Sequence, residues 1–215
     1  MTASQLYNWI GNLTYVLLAA VALWGAYCTV MILMRIRQKR FRSEEEQDAF
    51  LKALEEPLIQ GKFDEAYAIC EGDTRALCQL VALAIDSRRI GFDKVRQLVI
   101  DRFQRDVLAD LEQRLSWVNT VIKAAPMLGL FGTVLGMMGA FGKLAAAESV
   151  KADQLASDIS LALITTACGL AIAIPGVIAV TVINNRIRRM EDLVAAGLTR
   201  FLESFRAAVT PTAPR

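Results

Sequence analysis

The sequence predicts an all-α membrane protein: three transmembrane helices, with spans two and three extended into a cytoplasmic helical bundle. Three observations predict it. The 215-residue chain has a positive mean hydropathy. Its charged side chains gather in blocks and leave three charge-free runs, from Met1 to Met34, between Lys123 and Lys143, and between Asp158 and Arg186. Elsewhere, apolar residues recur at steps of three and four, the period of a helix with one apolar face. A crossing helix needs about 20 apolar residues at about 1.5 Å each, and each run is long enough.

In chain order, residues 1–12 form a short segment outside the membrane and residues 13–34 the first span. A cleavable leader has basic residues ahead of its apolar core. Here the order is reversed, with "RIRQKRFR" after the first run and "NRIRR" after the third. Basic residues beside a span stay on the cytoplasmic side. That rule places residues 35–123 and 184–215 in the cytoplasm, the N-terminus and the 143–158 loop outside, and the other two spans at 124–142 and 159–183.

Residues 35–123 carry sixteen basic and sixteen acidic side chains. A segment so balanced lacks the one-signed basic surface that nucleic-acid binding requires, so no nucleic-acid partner is expected. "SEEEQDAFLKALEEPLIQG" predicts a helix with Ser43 as N-cap, Glu46 three residues on, and a stop at Gly61. "FDEAYAICEGDTRALCQLVALAIDSRR" predicts two helices broken at Gly72 and Asp73. A last helix starts near Phe92 and runs into the second span, because no glycine or proline intervenes before Pro126. Its apolar stripe is read as Leu98, Phe103, Val107, Leu111, Leu115 and Val118. The third span continues in the same way, with Met190, Leu193, Val194, Leu198, Phe201, Leu202 and Phe205 on one stripe. These two extensions are expected to pack on each other and on neighbouring copies, and "TPTAPR" to be a frayed tail.

The chain has four cysteines and no histidine. Without imidazole there is no Ser/His/Asp or Cys/His constellation, and no glycine-rich phosphate loop precedes a helix, so no catalytic residue and no enzyme are expected. Neither cysteine spacing nor ligand type suits zinc, and the cytoplasmic Cys70 and Cys78 stay reduced. The expectation is therefore no metal, no disulfide and no cofactor.

The membrane runs carry the informative pattern. In "APMLGLFGTVLGMMGAFG", Gly129, Gly132, Gly136 and Gly139 fall within an arc of roughly 80° at about 100° per residue, with Thr133 at its edge. A glycine stripe weakens a helix by up to about 1 kcal/mol per residue, so it implies close approach by another helix or by a path for water or ions. In "ALITTACGLAIAIPG", Ala162, Thr166, Gly169, Ala173 and Gly176 form a similar narrow face, with Thr165 one step away. Two readings of the hydroxyls stand side by side. They bond their own backbone and help two helices pack, or they line a place where an ion is passed. A charge at mid-bilayer costs about 2.5 to 3.5 kcal/mol, so a translocated ion needs oxygen ligands or a carboxylate. No span contains Asp or Glu. If ions cross, a partner helix must supply the titrating group.

The segments "APMLGLFGTVLGMMGAF" and "ALITTACGLAIAIPG" resemble the two signature segments of the MotA/TolQ/ExbB proton-channel family, closest to its ExbB/TolQ branch. The resemblance implies a motor subunit of the bacterial inner (cytoplasmic) membrane, with its N-terminus periplasmic and its C-terminus cytoplasmic. It implies a homopentamer around an ExbD/TolR-like single-span partner with a membrane Asp. Beyond these lies a TonB/TolA-like protein, through which proton motive force does mechanical work on TonB-dependent transport or the Tol-Pal system. It places the ion pathway on Thr133 and Thr166, with Thr165 completing a "TT" pair, and helix kinks at Pro126 and Pro175. It also exposes a departure, since the glutamate often found five residues before the span-three threonine is Leu161 here. That favours a hydroxyl path on this subunit and makes Asp158, near the outer edge of the same span, either a cation attractor or a solvated loop acid. The alternatives are a non-conducting membrane scaffold and a flagellar-type stator subunit, although such stators have four spans. Proton or sodium remains open, with protons favoured by the resemblance.

Overall fold

The computed structural model describes residues 3–146 and 152–209, so the predicted tail and the middle of the 143–158 loop lie outside the described residues. All regular structure among them is helical. The helices are α1 (Ala3–Lys39), α2 (Glu44–Ile59), α3 (Phe63–Cys70), α4 (Ala76–Asp86), α5 (Phe92–Arg102), α6 (Ala109–Ala146) and α7 (Ala152–Val209). A short 3-10 turn covers Arg88–Ile90, and a π-helical turn, Phe103–Leu108, joins α5 to α6. The chain divides into two units, one of residues 1–31 and 114–182, the other of residues 32–113 and 183–215.

The first unit is made from stretches of α1, α6 and α7, each long and apolar enough to cross a membrane. Of the most apolar windows of the three helices only 17%, 22% and 17% is buried within the chain. So much exposed apolar surface is tolerable only in lipid or against other chains. The side chains are sorted by size accordingly. Met127, Leu130, Phe131, Leu163, Ile174 and Ile178 point outward, while Thr14, Ala125, Thr133, Ala140, Ala162, Thr165 and Ala173 are buried. Both α6 and α7 run through their prolines, Pro126 and Pro175, without interruption. A proline has no N–H, so the carbonyls of Ile122 and Ala171 lose their helical donors.

The second unit has an ordinary apolar core, with Ile36, Leu54, Leu58, Leu77, Val81, Ile85, Val95, Val99, Met190 and Phe205 almost wholly buried. Here α2 packs on α3, α3 on α4 and α4 on α5. The N-cap at Ser43 accepts from the Glu46 amide at 3.2 Å. The Glu46 carboxylate in turn accepts from the Arg42 amide, one residue before the position that a standard capping box would use. Gly61 and Gly72 adopt φ of 71° and 79°, left-handed turns that suit glycine, and they end α2 and α3 where the sequence predicts breaks.

The helix predicted from Phe92 into the second apolar run forms, but with the π turn inside it. The reason lies in its buried positions, Val95, Val99, Phe103, Val107, Leu111 and Leu115, which recur at strict steps of four. In an α-helix each such step drifts by about 40°, and a wider i→i+5 turn takes up the drift. Leu98, expected on that stripe, is exposed, and Val95 and Val99 take its place. The α7 stripe is buried at Met190, Val194, Leu198, Phe201, Leu202 and Phe205, with Leu193 half-buried. Leu198 and Leu202 face Phe92 and Phe103 across a cavity of about 430 Å³.

Polar ties fix α2 to α7. Gln47, buried, donates its side-chain N–H to the Leu193 carbonyl at 2.7 Å, and Arg200 pairs with Glu55 and Asp48. Gly197 leaves the slot that Gln47 fills, since a Cβ there would lie 2.5 Å from its Nε2. Between α3 and α4, Arg75 pairs with Asp73 and Glu46 and stacks 4.0 Å over the Phe41 ring. Its hydrogen bonds to Asp73 hold that carboxyl below the usual carboxylate range. Burial, reinforced by the Asp73 charge, pushes the Cys70 thiol up to about 12 and the Cys78 thiol higher still. All four cysteines are free thiols.

Candidate functional site

Most of the sequence-predicted residues of the second and third apolar runs come together where α6 and α7 touch, whereas Pro175 is exposed. The glycines make that possible. A Cβ at Gly129 would lie 2.7 Å from the Thr165 carbonyl oxygen, one at Gly136 2.6 Å from the Ala162 Cβ, and one at Gly169 2.6 Å from the Ala125 carbonyl oxygen. These distances leave no room for a side chain: at Gly129 and Gly169 the two backbones meet directly, and at Gly136 the bare Cα receives the Ala162 methyl. Gly139 is buried, whereas a Cβ at Gly142 would meet nothing within 4 Å.

Into this seam project three hydroxyls. Thr133 and Thr165 are buried and Thr166 is half-buried. Thr133 Oγ1 lies 3.2 Å from the Gly129 carbonyl on its own helix and 3.0 Å from the Ala162 carbonyl across the seam. Thr165 Oγ1 shows the mirror arrangement, 2.7 Å from the Ala162 carbonyl on its own helix and 2.9 Å from the Gly129 carbonyl opposite. Thr133 Oγ1 is 3.4 Å from Thr165 Oγ1 and is hydrogen-bonded to Thr166 Oγ1.

Other threonines of these long helices show the plain alternative. Thr29, Thr120, Thr181 and Thr199 each donate to the carbonyl four residues back in their own helix. The seam hydroxyls reach across to another helix as well. Five oxygens therefore gather in an apolar surround: three hydroxyls and the carbonyls of Gly129 and Ala162. Such a group can solvate a cation or relay a proton, and it carries no charge of its own.

Helix α1 adds two residues that the sequence pattern did not single out. Thr14 is buried with its Cγ2 2.9 Å from where a Gly132 Cβ would stand, beside Thr165 Oγ1 at 2.7 Å. Tyr15 donates its hydroxyl to the Leu161 carbonyl at 3.0 Å. The one available signal was a pair of adjacent polar residues in a charge-free run. Gly25 takes Val121 against its bare Cα, and Gly176 takes Ile122. Asp158 is ion-paired to Lys143 at 2.8 Å, which offsets the charge that would draw cations.

Residues 84–196, which contain the whole seam, match the MotA/TolQ/ExbB proton channel family. Among individual proteins, the chain is 40% identical over 85 residues to the Tol-Pal system protein TolQ of Haemophilus influenzae, covering 40% of this chain and 37% of the relative. It is 32% identical over 115 residues to an ExbB-like biopolymer transport protein of Helicobacter pylori, covering 54% of this chain and 75% of that one. It is 30% identical over 178 residues to an ExbB homologue of Methanothermobacter thermautotrophicus, covering 80% and 60%. The matched region thus spans well under half of the TolQ relative.

Proposed function

The chain belongs to the MotA/TolQ/ExbB proton channel family, on its ExbB/TolQ side, and from that premise we propose that it is the ion-conducting subunit of an inner-membrane motor. In this reading several copies, five by family resemblance, surround the membrane helices of an ExbD/TolR-like partner. Residues 13–34, 124–142 and 159–183 cross the bilayer, with the N-terminus periplasmic and residues 35–123 and 184–215 cytoplasmic. Flow of protons down their gradient drives motion that a TonB/TolA-like protein carries to a periplasmic client.

The observation that carries the reading is the hydroxyl and carbonyl cluster of Thr133, Thr165 and Thr166 at a glycine-bared seam, in spans that hold no carboxylate. Oxygens alone can pass an ion but cannot hold a proton at neutral pH, so the titrating acid comes from the partner. The carbonyls released by Pro126 and Pro175 add acceptors to the same helices. One charge moving down about 100 mV yields about 2.3 kcal/mol, so several ions serve each work cycle.

Affinity purification from native membranes tests the partner. The expected result is a co-purifying single-span protein with one Asp inside its span. Assemblies of this chain alone would instead favour a non-conducting scaffold held together by the glycine faces. The relatives matched above are TolQ and ExbB proteins, which favours the ExbB/TolQ branch over a flagellar-type stator.

A further inference from the structure

The three seam threonines do not hold equivalent positions, and the difference assigns a separate role to Thr165. A hydroxyl has one proton to donate and two lone pairs to accept. Thr133 and Thr165 share the same two carbonyl acceptors, Gly129 and Ala162, and each hydroxyl lies within bonding distance of both. Two complete arrangements follow. In one, Thr133 donates to Ala162 and Thr165 to Gly129, which gives two bonds across the seam. In the other, each donates to its own helix. The number of bonds that Thr133 and Thr165 donate to these two carbonyls is the same in both.

We propose that Thr165 is a positioning residue that forms, with Thr133, an exchangeable latch between α6 and α7, trading cross-helix bonds for own-helix bonds one for one. This rests on the reading of Thr133 and Thr166 as the polar station. Parting two membrane helices normally strands polar groups in an apolar surround, which opposes the motion. Here neither hydroxyl is stranded. Thr166 is placed differently, because its hydroxyl bonds to Thr133 and it is more exposed than either latch member. While the latch is crossed, Thr133 sits fixed against α7 and engages Thr166. When the latch reverts to its local form, Thr166 is released to meet an ion. Thr165 also fills the slot beside Gly132, where a Cβ would lie 2.7 Å from its Oγ1, so it sets the spacing of the seam.

The test reads seam geometry and conduction in the same full-length chain. Spin labels at Val134→Cys and Leu163→Cys, both exposed positions, report the α6–α7 distance in a background with the four native cysteines replaced. Labelled chain is diluted with unlabelled chain so that the distance within one copy is read. Proton uptake is measured in liposomes bearing the complex purified with its native partner. Thr165→Ser is expected to match the wild type in both readouts. Thr165→Val is expected to broaden the distance distribution towards longer values and to lower flux at least tenfold. Thr166→Val should lower flux with the distance unchanged.

An unchanged distance in Thr165→Val overturns the latch. If flux falls all the same, Thr165 lies on the ion path itself, and if flux persists it is plain packing. If Thr166→Val conducts normally while Thr165→Val broadens the distance, the latch stands and the ion-path reading falls. Should Thr165→Val fail to fold, Thr165→Ala takes its place beside Thr165→Ser, and equal distance widths in those two overturn the proposal.

Discussion

Thr133 and Thr166 meet hydroxyl to hydroxyl across the line where α6 and α7 touch, although 33 residues separate them in sequence. That contact exists because glycine and alanine occupy the surrounding positions. With any larger residue at Gly129, Gly136 or Gly169 the backbones would stand too far apart for hydroxyls this short to meet. The small residues and the threonines therefore form one device, with approach supplied by the first and polarity by the second.

Close backbone approach predicts an inverted glycine effect. In an open helix Gly→Ala is favourable by up to about 1 kcal/mol. At Gly169 the added Cβ would lie 2.6 Å from the Ala125 carbonyl oxygen and 3.2 Å from Pro126 Cα, neither of which can swing aside. Gly169→Ala should therefore destabilise the folded chain by about 1 to 3 kcal/mol. Gly142→Ala, with nothing within 4 Å, should be neutral or stabilising. Thermal unfolding of the two variants in the same detergent checks the contrast, and equal shifts would contradict it.

Acid should loosen the α3–α4 junction through Asp73. Its folded-state pKa is depressed, chiefly by hydrogen bonds from Arg75. A depressed carboxyl stabilises the fold above its unfolded value of about 3.9, and that contribution is lost as pH falls through the lower folded value. The ion pair is largely covered, with side-chain exposures of 28% for Arg75 and 19% for Asp73, so solvent screening is limited. Arg75→Met should return Asp73 towards its ordinary value and flatten the acid limb of stability against pH. An unaltered acid limb would show that the junction does not depend on this pair.

Alkali acts on the same junction with the opposite sign. Burial raises the folded pKa of Cys70 to about 12 and that of Cys78 further. A raised thiol contributes stability that is complete below the unfolded value of about 8.5 and is lost as pH rises towards the folded one. Because the thiolate is the reactive species, Cys70 and Cys78 should resist maleimide at pH 8 in the folded chain and react once it is denatured. Mass spectrometry of labelled peptides reads this directly, and rapid native labelling at either site would contradict the burial.

Much of this molecule can be read from its sequence, and the rest is hidden for identifiable reasons. The three apolar helices are legible because a charge-free run of about 20 residues has few alternatives. Ser43, Gly61 and Gly72 mark the boundaries of α2 and α3 through capping and left-handed turns, which are local chemistry. Leu98 departs from the stripe that contains Phe103, because a π turn resets the phase of a helix without any residue type that announces it. Thr14 and Tyr15 are not legible from the sequence because their partners lie far along the chain, and periodicity within α1 says nothing about what α7 presents. Asp158 was visible as an acid, but its pairing to Lys143 depends on how α6 and α7 are brought together.

Lys143 and Asp158 supply a prediction at the edge of the seam. The pair is part-exposed, with 43% and 28% of the side chains accessible, so it should contribute no more than about 1 kcal/mol and weaken with salt. Asp158→Asn should leave stability nearly unchanged and alter conduction weakly. A large loss of conduction, restored by Glu at this position, would instead make Asp158 part of the ion route.

The proposed conduction depends on ions passing the hydroxyl of Thr166. The direct measurement is potential-driven proton uptake by liposomes containing the complex purified with its partner, comparing wild type, Thr166→Val and Thr166→Ser at equal protein content and equal assembly. Uptake that is lost in the valine variant and kept in the serine variant is the predicted result. Wild-type uptake in the fully assembled valine variant would contradict it.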